Sequence, residues 1–313
     1  MAEPLLELED VRVLYGRLVA VDGVSFALRG GELLGMIGPN GAGKTTTLRA
    51  AAGLQPISTG RVRVMGRDVF SSPVEAGHHL GFTPDTPALY DTLTVEDFLE
   101  FVARCYGLPR SLAAERRDHW LSELWLADKR KAKIGTLSRG MKQRLAVART
   151  LLPDPHVVLL DEPAAGLDPA GRAQFRRLLA GLRDQGKALI VSSHILADLA
   201  EYCTHIAIIG HGRLLSWGTV AEVAGATTAE LCRYQVVLAQ RVGDAATRLA
   251  SIEGVVAVEV DGDTLKLECG ADRLSAARLL ERLIRAGLPV AEFRPLRPDL
   301  EEAYLRSGIG QVD

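Results

Sequence analysis

Cysteine is scarce in this chain. Four thiols in 313 residues, Cys105, Cys203, Cys232 and Cys269, stand far apart with no CxxC pair. Such spacing excludes a disulfide-stapled fold and a thiolate metal centre, and it fits buried thiols in a reducing compartment. Aromatic residues make up only 5% of the chain, and the arginines of its C-terminal part are not interleaved with them, which argues against nucleic acid as a partner. Net charge is small too, at -2, so no bulk field draws the protein to nucleic acid or to an anionic membrane. Nowhere does the chain approach the ~18 uninterrupted apolar residues of a spanning helix. The richest runs, Val157–Leu160 and Ile206–Ile209, have strand length. The opening MAEPLLELED carries acids where a secretory signal carries a basic region, so the expected location is the cytoplasm.

What is present is an ordinary globular composition, 47% hydrophobic and 24% charged, in a chain long enough for about two domains. Short strands are expected at Leu5–Val13 and Val24–Leu28, then a buried strand at Leu33–Ile37 that runs into a glycine-rich loop and a helix from about Thr45 to Leu54. Two more buried strands, Val157–Leu160 and Ala188–Ser193, end in Asp161-Glu162 and at His194. Between them Phe175, Leu178, Leu179 and Leu182 share one helical face, which makes the segment a crossover helix in a parallel α/β sheet. Residues of about 86–150 form a helical insertion, with helices near Val95–Cys105 and Ala113–Trp125 and punctuation at Pro109.

A boundary is expected near residues 220–232, where Ala, Gly and Thr accumulate, which divides the chain into domains 1–222 and 223–313. Beyond it the pattern restarts: a strand at Gln235–Leu238, a helix over about Asp244–Ala250, alternation at Val256, Val258 and Val260, and a turn at Asp261-Gly262-Asp263. Alternation at Leu265, Leu267 and Cys269 follows, then a helix with Ala276, Leu280, Leu283 and Ile284 on one face, and a strand near Val290. The order βαββαβ predicts a small α+β ferredoxin-like domain.

The loop Gly38-Pro39-Asn40-Gly41-Ala42-Gly43-Lys44-Thr45-Thr46 has the spacing GxxxxGK followed by Thr. Glycines let backbone N–H groups close around a phosphate without Cβ clashes, and the next helix aims its positive end at the same anion. Lys44 is then placed to reach the β/γ oxygens, and the Thr45 hydroxyl to take one position on Mg²⁺. An apolar strand ending in Asp-Glu is, by itself, a solvated strand end. After a phosphate loop the same pair reads as Asp161 for Mg²⁺ and Glu162 as the general base for an attacking water.

Other segments narrow the reading. Leu137-Ser138-Arg139-Gly140-Met141-Lys142-Gln143-Arg144 resembles the signature motif of ATP-binding cassette (ABC) ATPases and stands, as in that family, shortly before the Walker B strand. Gly166-Leu167-Asp168 resembles the D-loop, Ser192-Ser193-His194 the switch histidine, and Tyr15 the aromatic residue that stacks on adenine. Gly81-Phe82-Thr83-Pro84-Asp85 stands where the family has its Q-loop. The ordered match covers about residues 5–220. Arg139, Met141 and Asp85 replace the commoner Gly, Gln and Gln, which brings the resemblance closest to exporter-type ATPases. In that subgroup a C-terminal extension ending in a motif like Pro298-Asp299-Leu300-Glu301-Glu302-Ala303-Tyr304-Leu305 is usual.

The resemblance implies a nucleotide-binding domain with a RecA-like core, an antiparallel β subdomain and a helical subdomain, followed by the accessory domain. It implies ATP and Mg²⁺ as cofactors, with Tyr15, Gly38–Thr46, Asp85, Ser138–Met141 and Asp168 binding nucleotide. Thr45, Asp85 and Asp161 would serve the metal, and Lys44, Glu162 and His194 catalysis. A separate transmembrane permease subunit is the implied partner. So is a second copy of the chain, or a paralogous ATPase, closing an ATP sandwich at the cytoplasmic side of the cell membrane. The alternative within the family is a non-transport ATPase acting on ribosomes or DNA; the paired cassettes or long coiled coil of those proteins are missing here.

Overall fold

Residues 3–193, 196–224, 231–250, 252, 255, 257–270, 273–295 and 304 are described by a computed structural model. They fall into two compact units divided between Trp217 and Gly218.

The first unit opens with a hairpin, β1 (Leu6–Tyr15) and β2 (Leu18–Leu28), in which Leu6, Leu8, Val11 and Val13 turn inward. The second strand begins at Leu18, well before the expected Val24, because the tight turn after Tyr15 pairs Tyr15 with Leu18 across the hairpin. β3 (Leu33–Ile37) is buried at all five positions and leads through the glycine loop into α1 (Lys44–Ala51). That helix stops three residues short of the expected Leu54, followed by Gly53 in the left-handed region at φ +69°. β4 (Thr59–Val64) and β5 (Arg67–Asp68) complete an antiparallel sheet of order β2-β1-β4-β5.

After α2 (Pro73–Gly77) and β6 (Leu80–Thr83) comes the helical insertion of α3 (Val95–Cys105), α4 (Arg110–Glu123) and α5 (Arg139–Leu151). Thr94 caps α3 by accepting the Asp97 N–H, and Pro109 stands immediately before α4. The chain returns through β7 (Val157–Asp161), α6 (Pro169–Asp184), β8 (Ala188–Ser192), α7 (Leu196–Tyr202), β9 (His205–Gly210) and β10 (Arg213–Thr219). The second sheet has the order β10-β9-β3-β8-β7-β6, with parallel pairing from β9 through β6.

Its central strands are apolar on both faces, as parallel strands covered on both sides must be. One face, with Leu34, Met36, Leu159, Ile190 and Ile209, shares a core with the antiparallel sheet and with Leu48 of α1. The other lies toward α7, where Leu199 and Cys203, the residue just after the helix, come so close to Gly35 that a Cβ there would meet them at 3.1 and 3.0 Å. Because β3, β6, β7 and β8 run parallel, their carboxyl ends emerge along one edge.

In the second unit the short α8 (Val220–Val223) precedes β11 (Leu231–Leu238), α9 (Ala245–Ala250), β12 (Ala257–Asp261), β13 (Thr264–Gly270), α10 (Arg273–Arg285) and β14 (Val290–Pro295). The antiparallel order β12-β13-β11-β14 is that of the ferredoxin-like βαββαβ arrangement. Its core joins Tyr234, Val236, Leu265 and Leu267 of the strands to Leu249, Leu279 and Leu283 of the helices. The inward face of α10 differs from the sequence expectation. Leu279 and Leu283 are buried, whereas Ile284 is 58% exposed, because the face that rests on the sheet is turned from the expected stripe toward Leu279 while still including Ala276 and Leu283. Val256 and most of the 298–305 motif lie outside the described residues.

Candidate functional site

The glycine loop occupies space that side chains would fill. A Cβ at Gly38 would lie 2.2 Å from the Ile209 carbonyl oxygen, and one at Gly43, where φ is +106°, 2.6 Å from that of Ala20. A hydrogen bond from the Gly212 N–H to the Ala42 carbonyl at 2.9 Å fixes the loop to the β9–β10 turn. Gly43 is also the N-cap of α1 and supplies no side chain, and the helix has no acid in its first turn. Its positive end is therefore left for an external anion.

Lys44 folds back over this loop, its Nζ donating to the carbonyls of Gly38 at 2.7 Å and Pro39 at 3.1 Å. Burial lowers its ammonium pKa, and the carboxylates of Glu162 and Asp161 oppose that shift. Pro39 is half-buried, Asn40 and Gly41 are exposed, and Thr46 is half-buried. Thr45 is exposed, and its hydroxyl makes no hydrogen bond among the described residues, so an oxygen ligand is available beside the loop.

At the end of β7, Asp161 is 1% exposed. Its Oδ1 accepts a hydrogen bond from the Ser192 hydroxyl at 2.6 Å, while its Oδ2 is buried without a partner. A buried carboxylate oxygen with no donor is costly unless a cation or its bound water supplies the missing interaction. This orphaned atom and the free Thr45 hydroxyl fit Mg²⁺, a hard ion that keeps several waters and takes few protein oxygens alongside substrate phosphates. Among the described residues no group of three His, Cys, Asp or Glu could hold a metal alone.

Glu162, one residue on, sits in the left-handed region at φ +47°, which few non-glycine residues adopt. Its N–H donates to the same Ser192 hydroxyl at 2.9 Å. Ser192 was legible only as part of the switch segment. Its bonds to both members of the Asp-Glu pair had no local signal beyond a hydroxyl closing an apolar run.

The other expected residues lie in separate groups. Tyr15 is 45% exposed at the hairpin turn, its hydroxyl donating to Gln55 Oε1 at 2.9 Å. Asp85 is exposed two residues past β6, whose Thr83 is in register with Leu160 of β7. Ser138 caps α5 by accepting the Met141 N–H at 3.3 Å, and Asp168 caps α6 by accepting the Gly171 N–H at 2.8 Å. Gly140 is buried so tightly that a Cβ would lie 3.0 Å from the Gly166 carbonyl, and a Cβ at Gly166 would lie 3.6 Å from Arg139 Cδ. The signature segment thus packs on the D-loop. Among the described residues no hydrogen bond or ion pair ties Ser138–Met141 to the glycine loop. His194 lies outside the described residues.

A strand, a phosphate-shaped loop with its lysine, and an Asp-Glu pair on the same sheet edge define a P-loop ATPase. A helical insertion carrying the signature segment gives it the architecture of an ABC nucleotide-binding domain. The ABC transporter family model matches residues 21–165. The linearmycin resistance ATP-binding protein LnrL of Bacillus subtilis is 34% identical over 219 residues, 70% of this chain and 70% of that protein. The Nod factor export ATP-binding protein I of Ralstonia nicotianae is 32% identical over 304 residues, 97% of this chain and 93% of that one. A solved ATP-binding subunit of an ABC transporter superposes with a TM-score of 0.67 at 30% identity, covering 71% of this chain and 92% of that one. The chain belongs to the ABC transporter ATP-binding family. It is an ATP-binding and ATP-hydrolysing subunit coupled to transport, and no helix among its described residues is long and apolar enough to cross a membrane.

Proposed function

We propose that this subunit works from the cytoplasmic face of an exporter, with its nucleotide site completed by a second ATPase subunit. The observation that carries this reading is the convergence of Lys44, Asp161 and Glu162 at one sheet edge, while Arg139 and Gly140 of the signature segment pack on Gly166 and, among the described residues, share no hydrogen bond or ion pair with the glycine loop. One chain then offers two half-sites. In the closed pair, the loop of each subunit meets the signature segment of the other across ATP, with Tyr15 against adenine and Asp85 and Asp168 at the margins. Export is the direction named for the Nod factor export relative, and membership of the ABC transporter family disfavours a role on ribosomes or DNA.

Within the site, Lys44 exchanges its two loop carbonyls for β/γ-phosphate oxygens, and the α1 amides hold the remaining charge. Thr45 and Asp161 would hold Mg²⁺, which would supply charge neutralisation to the triphosphate. Glu162 accepts a proton from the attacking water, a step in which the family resemblance also gives His194 a part. A cavity of about 510 Å³ beside the Q-loop, lined by Leu80, Phe82, Pro84, Thr86, Tyr106 and Arg149, gives a membrane permease a place to engage. The domain after about residue 222 contributes contacts for pairing or assembly. The test is Mg²⁺-dependent hydrolysis by the purified chain at sub-saturating ATP: activity in the parent and a clear loss in Lys44→Ala is expected, and equal activity in both would refute the site.

A further inference from the structure

We propose that Ser192 is a positioning residue that sets the geometry of both carboxylates, selecting which oxygen of Asp161 serves the metal and holding Glu162 in its aim. The proposal rests on the roles given to Asp161 and Glu162 above. Ser192 ends β8 and is fully buried, the one hydroxyl of an otherwise apolar strand. A serine hydroxyl has one proton to donate and lone pairs to accept with. Here the proton goes to Asp161 Oδ1 at 2.6 Å, and a lone pair receives the Glu162 N–H at 2.9 Å.

Two consequences follow from that division. The first concerns Asp161, whose oxygens are no longer equivalent. Oδ1 is engaged, and Oδ2, buried and unpartnered, is the atom left for the cation or its water. Without the serine bond the carboxylate can rotate about its last torsion, which is broad for an sp²-terminated side chain, and the choice between oxygens is lost. The second concerns Glu162. Its left-handed backbone at φ +47° is strained and must be held by its surroundings. A hydrogen bond donated by its own N–H to a hydroxyl on a buried strand is such a restraint, and it fixes the direction in which Cβ leaves the chain.

The position suits the task. Ser192 is in register with Asp161 on one side and with Met36 of β3 on the other, and the neighbouring Ser193 N–H donates to the Met36 carbonyl at 3.2 Å. The strand carrying Ser192 therefore lies between the strand that feeds the glycine loop and the strand that ends in the two carboxylates.

The experiment uses the full chain with Ser192→Ala, Ser192→Cys, Ser192→Thr and Asp161→Asn. Mn²⁺ binding is read by electron paramagnetic resonance with a non-hydrolysable ATP analogue, and kcat and KM are measured separately. Outer-shell partners of this kind are worth roughly 10- to 100-fold in metal affinity or activity. Ser192→Ala is expected to weaken Mn²⁺ binding and lower kcat by that order, with little change in the KM for ATP. Ser192→Cys, which fills the site but hydrogen-bonds weakly, should behave alike and guards against a cavity effect or an Ala variant that fails to fold. Ser192→Thr restores the hydroxyl and should recover most of both. If Asp161→Asn loses Mn²⁺ affinity while Ser192→Ala and Ser192→Cys keep it, the positioning role is overturned and the metal site stands. If Thr is as impaired as Ala, the serine serves packing and the proposal is likewise overturned. If Asp161→Asn itself binds Mn²⁺ as the parent does, the metal reading falls and the inference falls with it.

Discussion

The two units differ most in what they bury. In the first, Lys44, Thr47, Thr83, Gln143, Thr150, Asp161 and Ser192 are shut away from solvent, with Lys44, Asp161 and Ser192 at the nucleotide site. Among the described residues of the second unit the buried core holds no charged side chain and, apart from the Tyr234 hydroxyl, is apolar: Tyr234, Val236, Leu238, Leu249, Leu265, Leu267, Leu279, Leu283 and Leu288 with Ala245. Burying a charge or hydroxyl costs free energy that an apolar side chain would not incur. In the first unit that cost is offset in part by pairing, Ser192 with Asp161 and Thr83 with Thr150, while Lys44 is held by two loop carbonyls.

That contrast can be broken by experiment. The largest effect is expected from Glu162→Gln, which keeps size and hydrogen bonding but removes the proton acceptor: hydrolysis should fall roughly 10²- to 10⁴-fold. ATP binding should survive, and light scattering should show an ATP-held pair; a variant that stays monomeric at saturating ATP would count against the sandwich. Next comes Leu267→Ala at a fully buried position of the second core. A loss of about 2–5 kcal/mol in unfolding free energy is expected, measured by denaturant titration, with nucleotide affinity unchanged. Should ATP affinity fall with it, the separation of scaffold from site would be wrong.

Lys44→Ala should raise the Kd for ATP by about ten- to a hundredfold, as expected for a charged hydrogen bond of about 1.5–3 kcal/mol; isothermal titration reads it directly. The smallest change is expected for Arg139→Gly. Arg139 is exposed and lies along Gly166, so stability should move by no more than about 1 kcal/mol, the helix cost of glycine. Any fall in hydrolysis beyond that would show that its charge acts on the opposing nucleotide.

Some of this was readable before any coordinates. β3 and α3 have the bounds that sequence assigns, since one is an apolar run between Glu32 and Gly38 and the other carries a clear apolar stripe. The βαββαβ order of the second unit followed from alternation and one turn. The α10 face was misjudged at Ile284, because a helix rich in Leu and Ala offers more than one apolar stripe and only the sheet beneath it selects between them.

The same division runs through the site. Local sequence determined the glycine loop, its lysine and the uncapped helix start, because these lie within a few residues and their backbone freedom and charge act at that range. Tertiary structure decided that Ser192 would meet Asp161 and Glu162, that Asp161 would keep one oxygen unpartnered, and that Glu162 would sit in a left-handed turn. Those contacts cross about thirty residues of chain and exist only because β7 and β8 pair in one parallel register. The pleat repeats every two residues, so a slip of one would turn the serine hydroxyl to the opposite face of the sheet.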